Sequence, residues 1–407
     1  MDHDILVIGG GAAGYFAAIQ AAQARPGLRI LILERGKTVL NKVKISGGGR
    51  CNLTHACFDP RELVTHYPRG QKELIGPFHR FACGDTIAWF GERGVETKIE
   101  EDGRMFPVTD QSQTIIDCLE TQARSLGVEV QCQQNVQFLQ PPAEENGTWL
   151  IQTNQQTFTA RVVMIAAGSS PQIWKLLGKL GHTIVPPVPS LFTFNIPHPA
   201  LHKLAGISFP QASIHLPELK LERTGPLLIT HWGLSGPAIL KTSAWGARAL
   251  AEVGYTFELQ VNWLAMSQDD CLTSLRQSRN QQAKKQLRNH QPFRLPQRFW
   301  TYALERASLS SDQRWADLSN AHLQALQRAL IADIYQVKGK STFKEEFVTA
   351  GGVDLKELDL RSFQSKLLPR LYMAGEIINV DAVTGGFNFQ AAWTGGYLAG
   401  QAMASSL

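Results

Sequence analysis

The sequence has no CxxC pair, no long apolar run and no internal repeat. Its six cysteines (Cys51, Cys57, Cys83, Cys118, Cys132, Cys271) are scattered through 407 residues. That spacing excludes a disulfide framework, and reduced thiols fit a cytosolic, cytoplasmic setting. Without about 18 consecutive apolar residues no membrane-spanning helix is expected. A secretory leader is not expected either, because strand texture begins at Asp4. No GxSxG elbow occurs, which removes the commonest serine-hydrolase signature. Charged residues are only 18% of the chain and hydrophobic ones 43%, the balance of a soluble globular protein. The length allows two or three domains. A formal net charge of +5 is mild, so its distribution matters more than its total.

Glycine, in contrast, is plentiful, at 35 residues. DILVIGGGAAGYFAAIQAAQA reads as strand, turn and helix, and RILILE as a second strand ending at Glu34. Gly9, Gly11 and Gly14 form GxGxxG between that strand and helix. The first glycine permits the tight turn, the second lets a pyrophosphate approach the backbone, and the third lets helix pack on strand. The helix start then offers free N–H groups and its dipole to the phosphates. Glu34 lies 20 residues beyond Gly14, where an acid can hold a ribose and disfavours a 2′-phosphate. FAD or NAD is therefore expected here rather than NADP.

A second glycine turn, ISGGGRCNLT, spans residues 45–54. It follows the ribose-binding acid, where the chain can cross back over a bound cofactor. Its glycines let the backbone touch phosphates or a flat ring, and Arg50 can add charge. The plain alternative is a mobile surface loop. A third turn, TGGFNFQ at 384–390, opens a helix near the other end of the chain. A long dinucleotide such as FAD needs loops from both ends.

Between these lie helix, hairpin and helix over 85–127 and strand signals over 128–163, with PPAEENG at 141–147 as a turn. Proline crowds PPVPSLFTFNIPHP, which marks a boundary near 186 because proline is excluded from central strands. Residues 190–262 look strand-rich, 267–332 helical, and sheet texture returns over 334–353. The organisation is one α/β domain interrupted by an insertion.

ISGGGRCNLT, THWGLSGPA, TAGGVDL and LYMAGEIINVDAVTGGFNFQAA, in this order along nearly the whole chain, resemble the BaiN/RdsA-like family of NAD(P)/FAD-dependent oxidoreductases. That resemblance implies a Rossmann-like FAD-binding domain interrupted by a β-barrel and a small helical subdomain. The expected boundaries are 1–188 and 351–407 for the FAD-binding segments, 189–265 and 333–350 for the barrel, and 266–332 for the helical part. It implies that Gly9, Gly11, Ala12, Ala13, Gly14, Glu34 and Arg35 hold the ADP half of FAD. Lys42, Ser46, Gly47, Gly48, Gly49, Arg50 and Asn52 lie beside the flavin. Ala167 and Gly168 follow a buried strand, Gly375 and Glu376 reach the ribityl chain, and Gly385, Gly386, Phe387 and Asn388 meet the pyrimidine edge. The sequence departs from the family at Asn379, where Asp is usual, at Ala382, where Gly is usual, and in a shorter loop after Gly168.

Members of this family are associated with reduction of uridine to dihydrouridine in large-subunit ribosomal RNA, and with oxidation of small amines such as aminoacetone by O2. A bile-acid role belongs to one branch. NAD(P)H would serve as a transient reductant. Uridine reduction needs a proton donor within hydrogen-bond reach of C5. Cys51 is one candidate, against a small buried residue that fills the loop. His231 is a second, as donor or substrate contact, and Ser235 begins a helix start able to bind phosphate or a simple capped turn. Arg276, Arg279, Lys284, Lys285, Arg288, Arg294 and Arg298 form a basic run without an acid, either an RNA contact or a solvated helix face. A non-enzymatic flavin- or RNA-binding protein is the third reading. No metal site is expected: HPALH at 198–202 has zinc-like spacing but no acid beside it, and the glycine turn accounts for CNLTHAC. No stable protein partner is implied.

Overall fold

The computed structural model describes residues 2–144, 147–341 and 348–407. Part of the PPAEENG turn and part of the expected sheet return at 333–350 lie outside these residues. The chain divides into two units, Met1–Pro189 with Lys344–Leu407, and Ser190–Phe343.

The first unit is built on a mostly parallel sheet. Strand β1 (Asp2–Ile8) lies at its middle, with β2 (Ile30–Leu33) parallel on one side and the strand Thr157–Ile165 parallel on the other. Ile5, Leu6 and Val7 are fully buried, as a strand covered on both faces must be. Beyond β2 lies Glu129–Gln131. Beyond Thr157–Ile165 lie Leu371–Met373, Gln364–Ser365 and Leu358–Asp359, so the chain's last quarter completes one edge. The hairpin of Val136–Gln140 and Trp149–Thr153 attaches antiparallel to Thr157–Ile165.

Helix α1 (Ala12–Ala24) packs on the final helix, Phe387–Ser405, through small residues. A Cβ on Gly396 would stand 2.8 Å from the Ala13 carbonyl oxygen, and one on Gly400 2.6 Å from that of Ala17. The alanine-rich sequence of α1 thus permits backbone-to-backbone approach. A three-stranded sheet of Thr54–His55, Arg104–Pro107 and Thr97–Ile99 sits after the second glycine turn. The proline-dense segment is itself a strand, Ile184–Ser190, paired among the described residues with Val348–Val353 alone. Two strands leave proline an unpaired edge, so its missing N–H costs no ladder bond.

The second unit holds a seven-stranded antiparallel sheet. Its order is Asp333–Lys338, Thr256–Asn262, Ser208–Leu216, Leu221–Ile229, Gly233–Ser235, Thr193–Asn195 and Lys340–Ser341. The two ends of that order, Asp333–Lys338 and Lys340–Ser341, are separated only by Gly339. Helices Gln268–Gln281, Gln297–Arg306 and Asn320–Ile331 pack here around Trp263, Trp300 and Trp315. No described helix is long and apolar enough to cross a membrane.

Candidate functional site

The first glycine turn has no room for side chains at two of its three positions. Gly9 has φ +114°, and a Cβ there would lie 2.3 Å from the Ala166 carbonyl oxygen. A Cβ on Gly14 would lie 2.1 Å from the Gly9 carbonyl oxygen. Gly11 differs: a Cβ there meets nothing within 4 Å, and no side chain caps the helix it begins. The open space before an uncapped helix start is where a pyrophosphate fits. Ala12 is half-buried and Ala13 buried behind it. Glu34 accepts the Gly10 N–H at 2.9 Å and the Gly36 N–H at 2.6 Å, so it first ties the turn together. Each carboxylate oxygen keeps a second lone pair for a ribose hydroxyl. Arg35 is exposed.

The second turn ends the helix Asn41–Gly49, which leaves helical geometry at Ser46. Gly47, Gly48 and Gly49 then take φ of 59°, 69° and 87°. Such a left-handed run is open to glycine at little cost and strained for other residues. A Cβ on Gly48 or Gly49 meets open space, while one on Gly47 would lie 2.8 Å from the Phe106 ring. Arg50 does not face a free ligand position. Its guanidinium lies 4.0 Å above the Phe106 ring and 2.6 Å from Glu100, with Asp110 at 3.6 Å. Arg104 reaches the same Glu100 at 2.8 Å. Arg50 therefore anchors the glycine loop to the neighbouring hairpin.

Cys51 has a left-handed φ of 61° and is fully buried. Burial pushes its thiol up to about 12, with the Ser46 hydroxyl as its polar neighbour. This is the geometry of the packing alternative, a small residue that fills the loop. The next residue joins the two ends of the chain. The Asn52 amide donates to the Thr54 carbonyl at 3.1 Å and accepts the Gly386 N–H at 2.9 Å. Gly386 has no alternative, since a Cβ there would stand 2.4 Å from the Thr54 carbonyl oxygen.

From the chain's last quarter, Gly375 (φ 79°) brings its Cβ position to 3.3 Å from the Ala13 methyl. Glu376 forms an ion pair with Lys42. A Cβ on Gly168 would lie 3.8 Å from the Glu376 carboxylate, and half-buried Ala167 precedes it. The short loop then stops at Ser170, whose hydroxyl caps the helix Pro171–Lys179. Two of the expected flavin-edge side chains are already engaged. Phe387 packs against both His55 and His66, with ring centroids 4.5 and 4.1 Å away. Asn388 closes a pair of hydrogen bonds with the Ala382 backbone at 3.0 and 3.1 Å. The Gly386 backbone is engaged as well, its N–H by Asn52 and its carbonyl by the Gln390 N–H at 3.0 Å.

Sequence reasoning missed the residues that hold these loops. Asp381 is fully buried in an ion pair with Arg69. The Asn379 Oδ1 is buried with no hydrogen-bond partner among the described residues. Of the basic run, Arg276, Lys284, Lys285, Arg288, Arg294 and Arg298 are exposed. Arg279 is half-buried and donates to the Leu318 carbonyl and to Asn320; Arg288 pairs with Asp312 at 2.8 Å; Arg298 donates to the Lys203 carbonyl. His231 is exposed in the turn between Leu221–Ile229 and Gly233–Ser235, and half-buried Ser235 precedes the helix Pro237–Trp245. In HPALH, His198 caps the Leu201 N–H and His202 bonds the Ile196 carbonyl, so each ring already has a backbone partner.

In the first unit, then, an uncapped helix start faces open space at Gly11, and the glycine segments at 47–49, 168, 375 and 385–386 are linked to it or to one another through Ala13, Lys42, Glu376 and Asn52. A parallel sheet carrying such a turn defines a Rossmann-type dinucleotide-binding fold. Residues 3–402 match the family described as HI0933-like protein Rossmann domain, and the chain belongs to that family. It is 29% identical to the ribosomal RNA dihydrouridine synthase of Escherichia coli, covering 98% of this chain and 97% of that one. It is 28% identical to the 3-dehydro-bile acid delta(4,6)-reductase of Clostridium scindens, covering 98% of each. The 3-ketosteroid-delta4-(5alpha)-dehydrogenase of Rhodococcus jostii shares the fold, with a TM-score of 0.53 at 13% identity over 99% of this chain and 97% of that one.

Proposed function

We propose that the protein reduces uridine to dihydrouridine in large-subunit ribosomal RNA, with NAD(P)H as electron source. The observation that carries this reading is full-length similarity to a ribosomal RNA dihydrouridine synthase, together with the glycine cradle. Gly11, the Gly47–Gly49 N–H groups and Glu34 would hold the diphosphate and ribose of FAD. Lys42, Glu376, Gly168, Gly375 and the Gly385–Gly386 backbone would flank the remainder. Bound FAD supplies two-electron chemistry that no amino-acid side chain provides. The reduction adds one hydride and one proton across the C5–C6 double bond. Since Cys51 is sealed, exposed His231 is the proposed proton donor. Arg276, Lys284 and Lys285 are exposed cations suited to phosphates, and ribosomal RNA as substrate would place the protein in the cytoplasm.

The similarity to a bile-acid reductase supports a second reading, in which a flavin enzyme of the same fold acts on a small metabolite. A small-amine oxidase, of aminoacetone for example, falls in this class. The two readings separate anaerobically. The FAD-loaded protein is reduced with NADPH or NADH, mixed with unmodified large-subunit ribosomal RNA, and the RNA analysed by mass spectrometry. Dihydrouridine at one position is expected, and loss of product on His231→Asn or on neutralising Arg276, Lys284 and Lys285 would localise its determinants. Reduced flavin that yields no dihydrouridine but reoxidises quickly in air overturns the RNA reading in favour of the metabolite.

A further inference from the structure

Just after the second glycine turn, Cys57, Glu62 and His66 bring one sulfur, one carboxylate oxygen and one imidazole nitrogen within 4.8 Å of one another. The chain supplies this grouping by local folding. Pro60–Leu63 is helical and runs directly into the turn Val64–His66, so Glu62 and His66, four residues apart, share one face. Asp59 fixes the start of that helix by accepting the Arg61 N–H at 2.8 Å. The His66 ring is held flat against Phe387, with an interplanar angle of 10°, and its carbonyl accepts the Val383 N–H at 2.9 Å. Two of the three donors are thus placed by backbone and ring contacts made independently of any ion.

We propose that Cys57, Glu62 and His66 bind one zinc-class divalent cation, with water completing its coordination. The donor set decides the class of ion. Magnesium and calcium take oxygen ligands, whereas thiolate with imidazole selects zinc and its neighbours. The charges also close: a thiolate and a carboxylate balance a divalent cation, and neutral imidazole adds none. Burial is graded from buried Cys57 through half-buried His66 to exposed Glu62, which gives an incoming ion a solvent-side ligand first. This set differs from the CNLTHAC grouping of Cys51, His55 and Cys57, because Cys51 is held in the glycine turn. An ion here ties the segment 57–66 to Phe387, the first residue of the helix that begins beside Gly386.

The test uses the full chain with FAD bound, stripped of metal by a chelator and kept reduced. Zinc titration should show one tight site per chain, and X-ray absorption at the zinc edge should show one sulfur at about 2.3 Å with nitrogen or oxygen at about 2.0–2.1 Å. Glu62→Gln, an exposed change, should weaken zinc binding roughly tenfold or more while FAD content and melting temperature in the absence of zinc stay unchanged. His66→Gln should weaken it similarly, and Cys57→Ser should remove the sulfur from the zinc shell. Cys271→Ser, in the other unit, should change nothing. A zinc shell without sulfur, or an affinity that Glu62→Gln and His66→Gln leave unmoved, overturns the proposal.

Discussion

The two N-terminal glycine turns look alike as sequence and work by opposite means. In the first, Gly9 and Gly14 are glycine because other backbone occupies the space a side chain would need, and only Gly11 faces open space. In the second, Gly48 and Gly49 face open space and are glycine because the chain runs left-handed there. The first turn is enforced by packing. The second is a shape held from outside, by Arg50 on Phe106 and Glu100 and by Asn52 on Gly386. One is therefore sensitive to volume, the other to conformation and anchoring.

The largest expected effect comes from breaking the packed turn. Gly9→Ala forces a methyl into the Ala166 carbonyl, and should cost about 3 kcal/mol or more, seen as a lowered melting temperature with loss of FAD. Gly11→Ala sharpens the contrast. It should leave the melting temperature of the FAD-free protein within about 2 °C and weaken FAD binding by roughly tenfold or more, measured by flavin fluorescence, because the methyl enters only ligand space.

A smaller effect tests Cys51. A thiol pushed up to about 12 from an ordinary value of 9 remains protonated in the fold while the unfolded chain ionises. Its contribution is complete below pH 9 and declines as pH rises from there towards 12. Replacement by Ala should flatten the alkaline loss of stability by about 1–1.5 kcal/mol between pH 7 and 10, read from urea midpoints. The smallest effect is that of the outer anchor. Glu100→Gln should weaken FAD binding only about two- to threefold, and raised salt should shrink the difference, because the pair it breaks is partly exposed. An effect as large as that of Gly9→Ala would mean that the second turn is also enforced by packing.

The fold was legible where chemistry is local. GxGxxG, the apolar strand before it and the acid after it all lie within one short stretch, so the parallel sheet and its helix could be read directly. The proline-rich segment could be read as no central strand, but its partner among the described residues could not be found, because Val348–Val353 lies far along the chain. The same limit applies within the site. Nothing at Arg50 points to Glu100, nothing at Asn52 to Gly386, and nothing at Asp381 to Arg69, since those partners are set by tertiary folding. Phe387 and Asn388 are expected near the ligand from the family resemblance alone, and their contacts with His55, His66 and the Ala382 backbone could not be read from the sequence. For Cys51 the alternatives depended on exposure, which sequence does not carry.

The strand Leu371–Met373 and the helix Phe387–Ser405 carry a consequence for the order of folding. They flank Gly375, Glu376 and Gly386, and the helix covers α1, so the first glycine turn is completed by residues far along the chain from it. Pairings between residues as far apart as Asn52 and Gly386 give this unit a high contact order, and such contacts form late. Until the Phe387–Ser405 segment exists α1 has no cover, so the glycine turn that precedes it cannot be completed by local folding alone.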